Sequence, residues 1–252
     1  MKLAILNSIR PDAIDAGEAL RKEFGHVQAD AADVIVAVGG DGFMLEVLRA
    51  HMQTGRPVYG LNRGTVGFLM NAFEGAPLPE RIKSAEQAVI HPLAMIASTQ
   101  DGETVEAKAI NEVSLYRQTR QSAKLAIWVN GKLRMETLTC DGAMLATPAG
   151  STAYNLSAHG PILPINAQML ALTPISAFRP RRWKGALLPR DAKVRIEVLN
   201  HEHRPVSAVA DNQEVRNVAS VEAHEDRSIS MTLLFDEGQS LDERILREQF
   251  EY

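Results

Sequence analysis

The chain has 252 residues, of which 45% are hydrophobic and 23% charged, with a net charge of −4. That length and balance exclude wholesale disorder, and the mild acidity removes any global positive field for nucleic acid or an anionic membrane. The single cysteine, Cys140, excludes an internal disulfide and any multi-cysteine metal site, and it reads as a small buried thiol.

In chain order, Leu3–Leu6 reads as a first strand rather than a signal peptide. A helix is expected over Asp12–Phe24, with Ile14, Leu20 and Phe24 on one face and Gly25 as the stop. Val34–Val38 is apolar and β-branched without alternation, the pattern of a parallel strand covered on both sides. It runs into Gly39-Gly40-Asp41-Gly42, after which Phe43–Met52 has helical spacing. Val58–Leu61 is a second buried strand, followed by the turn Asn62-Arg63-Gly64-Thr65-Val66-Gly67. Residues 1–90 are therefore expected to form an α/β domain with an open, mostly parallel sheet.

From about Pro92 the pattern shifts to short apolar or alternating runs: Leu93–Ser98, Glu112–Tyr116, Lys124–Val129, Leu145–Thr147, Val194–Leu199, Val206–Ala210 and Ser230–Phe235. Asp101-Gly102 and Asn130-Gly131 are hairpin signals. Residues 91–235 read as an all-β domain, and 236–252 as a C-terminal helix that returns to the first domain. No apolar run reaches the length of a membrane helix, so a cytoplasmic protein is expected.

The glycines of Gly39-Gly40-Asp41-Gly42 permit positive φ and close ligand approach, and the helix start beyond them offers unpaired N–H groups to a phosphate. A carboxylate there suits a metal or a hydroxyl proton, as phosphoryl transfer requires. Taken alone, the tetrapeptide reads more often as a helix N-cap and turn. No P-loop or G-x-G-x-x-G motif is present.

The densest run of small and hydroxylated residues is Asp141–Ser157, where Asp141 suits ribose hydroxyls and Tyr154 a base; a capped helix start with a core tyrosine is the alternative. Asn111-Glu112 is a polar pair at the start of a strand, and Asp211-Asn212-Gln213 reads first as a turn. Arg179-Pro180-Arg181-Arg182-Trp183-Lys184 is the one compact basic patch and reads as a solvated loop. His51, His201 and His203 lack metal-ligand spacing, and no protein metal ligand is assigned.

Across nearly its whole length the chain resembles bacterial-type NAD kinases, which make NADP from NAD and ATP. The resemblance rests on Gly39-Gly40-Asp41-Gly42, Gly64-Thr65-Val66-Gly67-Phe68-Leu69, Asn111-Glu112-Val113, Asp141-Gly142, Ala146–Tyr154, Gly160-Pro161-Ile162, Ala171-Leu172-Thr173-Pro174 and Asp211-Asn212-Gln213. It implies that Asp41 is the catalytic carboxylate acting on the 2′-hydroxyl of the adenosine ribose, with Gly39, Gly40 and Gly42 shaping the loop near the transferred phosphate. It implies that Asn111 and Glu112 hold the dinucleotide, and that Asp141, Thr152, Ala153, Tyr154 and Ser157 line the rest of its site. The implied donor is ATP with a divalent cation, Mg²⁺, and the implied assembly a homodimer or homotetramer that shares part of the site between subunits. Phe43, Thr139, Ala149, His159 and Asn212 depart from the family pattern. A lipid or sphingoid kinase shares the GGDG turn, and a non-catalytic NAD(P) sensor is the reading from another class.

Overall fold

The computed structural model describes residues 1–64 and 67–250; Thr65 and Val66 of the second glycine turn, with Glu251 and Tyr252, lie outside them. The chain divides into two compact units, Met1–His91 with Ser228–Tyr252, and Pro92–Arg227.

The first unit holds a five-stranded sheet made from β1 (Leu3–Asn7), β2 (Val34–Gly39), β3 (Val58–Asn62), β4 (Glu86–Ile90) and β17 (Met231–Phe235), in the order β1-β2-β3-β17-β4. All neighbours are parallel except the antiparallel β17–β4 pair. Every residue of β2 is buried, as its unbroken apolar run requires. Ser230–Phe235 was expected within the all-β part. Its Met231, Leu233, Leu234 and Phe235 are instead buried in this first sheet, so the apolar run belongs to a covered strand. Helix α1 (Pro11–Phe24) starts on a proline and stops at Gly25, whose φ of 76° lets its N–H reach the Arg21 carbonyl. Its buried face is Ala13, Ala16 and Gly17, with Leu20 and Phe24 packed beside it; Ile14, expected on that face, is exposed. The small residues win because the helix lies close to β1. A Cβ on Gly17 would sit 2.7 Å from Asn7 Oδ1. Helix α2 (Asp41–His51) buries Met44, Val47 and Leu48, and α3 (Leu78–Ser84) buries Leu78 and Ile82.

The second unit contains two six-stranded antiparallel sheets. Their strands are β5 (Leu93–Thr99), β6 (Thr104–Ala109), β7 (Glu112–Arg117), β8 (Ala123–Val129), β9 (Lys132–Cys140), β10 (Gly142–Ala146), β11 (Met169–Ile175), β12 (Ala186–Pro189), β13 (Val194–Val198), β14 (Val206–Ala210), β15 (Gln213–Val215) and β16 (Val218–Glu225). One sheet runs β6-β5-β16-β13-β8-β9 and the other β12-β11-β10-β7-β14-β15. Alternate residues of both sheets, such as Leu93, Met95, Ile127 and Val221 against Val113, Leu115, Leu145 and Leu172, merge in one core, so the sheets pack face to face. Asn130 and Gly131 both take positive φ, 51° and 74°, the geometry of a tight β8–β9 hairpin.

Candidate active site

In the first unit, the candidate residues gather at the end of β2. Asp41 is the first residue of α2, and its carboxylate does not cap that helix. Instead Oδ2 accepts from Phe68 N at 2.6 Å and Oδ1 from Leu69 N at 2.9 Å. Among the described residues, two of the roughly four lone-pair positions of the carboxylate are thereby used. Gly67 makes this approach possible, since a Cβ there would lie 2.3 Å from Asp41 Oδ1. The expected positive φ at Gly39, Gly40 and Gly42 is not found; positive-φ glycines lie elsewhere in the chain. Their value is spatial. A Cβ on Gly40 or Gly42 would meet nothing within 4 Å, leaving the backbone open to a ligand, while Gly39 lies against Phe43. Phe43 thus packs on the loop rather than offering it a polar contact.

The loop that holds Asp41 is itself fastened. Asn71 is fully buried and donates to the Gly60 and Leu234 carbonyls, while its Oδ1 accepts from Asp236 N at 3.0 Å. Arg81 pairs with Asp236 at 2.6 Å and donates to the Ala72 and Phe73 carbonyls. Tyr59 hydrogen-bonds the same aspartate, and burial next to it pushes the phenol well above its usual range. Helix α5 (Leu241–Glu248), capped by Ser240, adds Arg244, which donates to the carbonyls of Gly67, Phe68 and Met70.

In the second unit, the side of the second sheet turned from the core carries Glu112, Ser114 and Tyr116 on β7. Asp211 organises the start of that strand. It sits in a turn with φ 52°, and its carboxylate accepts from the backbone N–H groups of Ile110, Asn111 and Glu112 at 2.7, 2.9 and 3.3 Å. The left-handed residue of this turn is Asp211, not Asn212. Glu112 Oε2 is buried and accepts no hydrogen bond from the described residues. Burial, with the nearby Asp211 charge adding to it, pushes the Glu112 carboxyl up to about 7.

The hydroxyl-rich run divides by direction. Thr147 Oγ1 donates to the Ile110 carbonyl at 2.8 Å and accepts from Gly150 N. Ser151 bonds Pro148 O and Leu163 N, and buried Asn155 links Ser151, Pro161 and Thr173. These groups are consumed in holding the turn, and Ala149 is buried within it. Thr152, Ala153, Tyr154 and Ser157 remain at least partly exposed, and the rings of Tyr154 and Tyr116 are 5.9 Å apart. Gly150 is required because a Cβ would lie 2.2 Å from Asn111 O, and Gly160 because one would lie 2.2 Å from Asn155 Oδ1. His159 takes φ 63°, a left-handed conformation that favours glycine.

Asp141, read from sequence as suited to ribose hydroxyls, pairs its Oδ1 with Arg117 Nε at 2.5 Å. Thr139 accepts from Phe178 N and Arg179 N, anchoring an exposed basic segment. Cys140 is buried, and desolvation pushes its thiol to about 12, far from a reactive thiolate. Sequence reasoning missed Arg244, Asn71 and the inward role of Thr147, whose partners are distant in the chain.

The chain matches the ATP-NAD kinase N-terminal domain over residues 6–92 and the ATP-NAD kinase C-terminal domain over residues 110–224. It belongs to the ATP-NAD kinase family. An NAD kinase of Hyphomonas neptunium is 59% identical over 252 residues, covering 100% of this chain and 99% of that one. One from Caulobacter vibrioides is 60% identical over 249 residues, covering 99% and 96%. Two solved structures share the fold of this ATP-NAD kinase family member. Yeast NADH kinase complexed with NADH has TM-score 0.81 at 20% identity, covering 100% of this chain and 86% of that chain. An NAD kinase from Archaeoglobus fulgidus in complex with ATP has TM-score 0.77 at 23% identity, covering 98% of each.

Proposed function

We propose that the protein is an NAD kinase, transferring the γ-phosphate of ATP to the 2′-hydroxyl of the adenosine ribose of NAD. The observation that carries this reading is the Asp41 carboxylate, held by two backbone amides at the start of α2 beside open glycine backbone. An oriented carboxylate accepts the hydroxyl proton as the oxygen attacks phosphorus, while first-turn N–H groups of α2 face the transferred phosphate. The proton goes to Asp41, the new bond forms between the 2′-oxygen and the γ-phosphorus, and ADP leaves. Full-length similarity to NAD kinases supports the same conclusion.

Asn111 and the orphaned Glu112 oxygen hold the dinucleotide through its ribose hydroxyls, with Thr152, Ala153, Tyr154 and Ser157 alongside and Asp141 presented by Arg117. Among the described residues no three His, Cys, Asp or Glu side chains gather as a metal site. A magnesium ion fits as part of the ATP substrate, ligated chiefly by phosphate oxygens and water. We also infer a homodimer or homotetramer working in the cytoplasm, with residues 1–90 and the C-terminal helix as the catalytic part and 91–227 as the dinucleotide-binding part.

A coupled assay for NADP with purified protein, NAD, ATP and Mg²⁺ tests the activity. NADP should form at a rate proportional to enzyme. NAD binding without turnover across donors and metals sinks the kinase reading in favour of a sensor, and phosphorylation of a sphingoid base instead of NAD sinks it in favour of a lipid kinase.

A further inference from the structure

We propose that Arg244 of the C-terminal helix is a positioning residue for Asp41, an inference that rests on the kinase reading above for its catalytic consequence. The two peptide groups that donate to Asp41 are those joining Gly67 to Phe68 and Phe68 to Leu69. Their opposite ends, the carbonyls of Gly67 and Phe68, both accept from Arg244 Nη1, at 3.4 and 3.1 Å. Each peptide plane is therefore pinned at both ends, by a carboxylate on its N–H and a guanidinium on its C=O. The same nitrogen donates to Met70 O at 2.6 Å, and Nε donates to Gln239 O at 3.0 Å.

A cation on the carbonyl end also polarises the peptide and strengthens its N–H as a donor. Arg244 itself is well held. Ile245, buried next to it, anchors this part of α5, and the Arg244 guanidinium carbon lies 4.9 Å from the centre of the Phe235 ring. Without Arg244 the two planes are free to rotate, and Asp41 loses its fixed aim while keeping its charge.

The test compares Arg244→Ala and Arg244→Lys with Leu241→Ala, which removes buried apolar surface from the same helix without touching the loop carbonyls. A misplaced catalytic group costs on the order of 10²-fold in rate. The expected result is a loss of that order in kcat for Arg244→Ala with KM for NAD little changed, and an intermediate loss for Arg244→Lys, whose point charge reaches fewer carbonyls. Leu241→Ala should melt earlier yet keep its kcat below its melting temperature. Amide hydrogen exchange at Phe68 and Leu69 should accelerate in Arg244→Ala while β2 stays protected. A wild-type kcat in Arg244→Ala, or kcat losses that follow melting temperature equally in all three variants, overturns the inference. Should the wild-type protein make no NADP, the kinase reading fails, and the exchange comparison still decides whether Arg244 holds the two peptides. If Arg244→Ala does not fold, unchanged exchange and kcat in Arg244→Lys overturn the proposal by themselves.

Discussion

Replacing Glu112 by glutamine should invert the usual effect of cutting into a binding site and stabilise the protein at alkaline pH. The Glu112 carboxyl titrates at about 7 in the fold, against 4.5 for an ordinary glutamate, chiefly because burial disfavours its charge and secondarily because Asp211 is near. Between those two values the folded protein keeps a proton that the unfolded chain has released. Stability from this group is full below 4.5 and is lost as pH rises through 7. The gap corresponds to about 3 kcal/mol, an upper figure for a group that keeps some solvent contact. A glutamine at this position has no such proton to lose. Urea unfolding of both proteins from about pH 5 to 8.5 should give curves that lie closest at the acid end, separate as pH rises toward about 7 and stay apart beyond it, with Glu112→Gln the more stable. Parallel curves refute the burial argument. Ligand binding provides the second half of the test. If ribose hydroxyls donate to the orphaned Oε2, NAD binding favours the ionised form and releases a proton near about pH 6. Calorimetry in buffers of different ionisation enthalpy measures that proton, and its absence removes Glu112 from the ribose contact.

Asp41→Asn sets an NH₂ group against one of two backbone N–H donors, so it should cost about 1.5–3 kcal/mol of stability as well as charge. Turnover should fall about 10²–10⁴-fold, with NAD affinity much less affected, as steady-state kinetics and thermal melting can establish. Gly150→Ala drives a methyl group into the Asn111 carbonyl and should destabilise by about 1–3 kcal/mol; a raised KM for NAD would accompany it as Asn111 and Glu112 shift. Cys140 should resist a thiol reagent in the native protein at about pH 8 and react at once in denaturing urea; rapid labelling of the folded protein would contradict its burial.

Both architectures could be read from local pattern. A covered strand such as Val34–Val38 advertises itself by continuous β-branched residues, and Asn130-Gly131 by the positive φ it tolerates. What escaped was settled by distant partners. Nothing near Asp41 says that its carboxylate turns away from its own helix to amides 27 and 28 residues later. The run at Met231–Phe235 looks like any other short strand of the all-β region, and only its parallel pairing with Val58 and Tyr59 assigns it to the first sheet. Hydroxyls that looked equally available along residues 147–157 divide because Thr147 and Ser151 are spent on buried backbone groups. The Asp141 ion pair escaped because its arginine lies 24 positions upstream.

Strand β17 and helix α5 also bear on how the protein is made. The β17 strand stands between β3 and β4, and the arginine that grips the Asp41 loop follows nine residues after that strand. During synthesis the β-rich unit, contiguous in the chain, can close while the first sheet still has a gap between β3 and β4. Asp41 is made long before Arg244, so its loop is gripped by that arginine only after β17 and α5 have followed. Closure of the first sheet and the grip on the Asp41 loop thus both wait on segments that follow the β-rich unit.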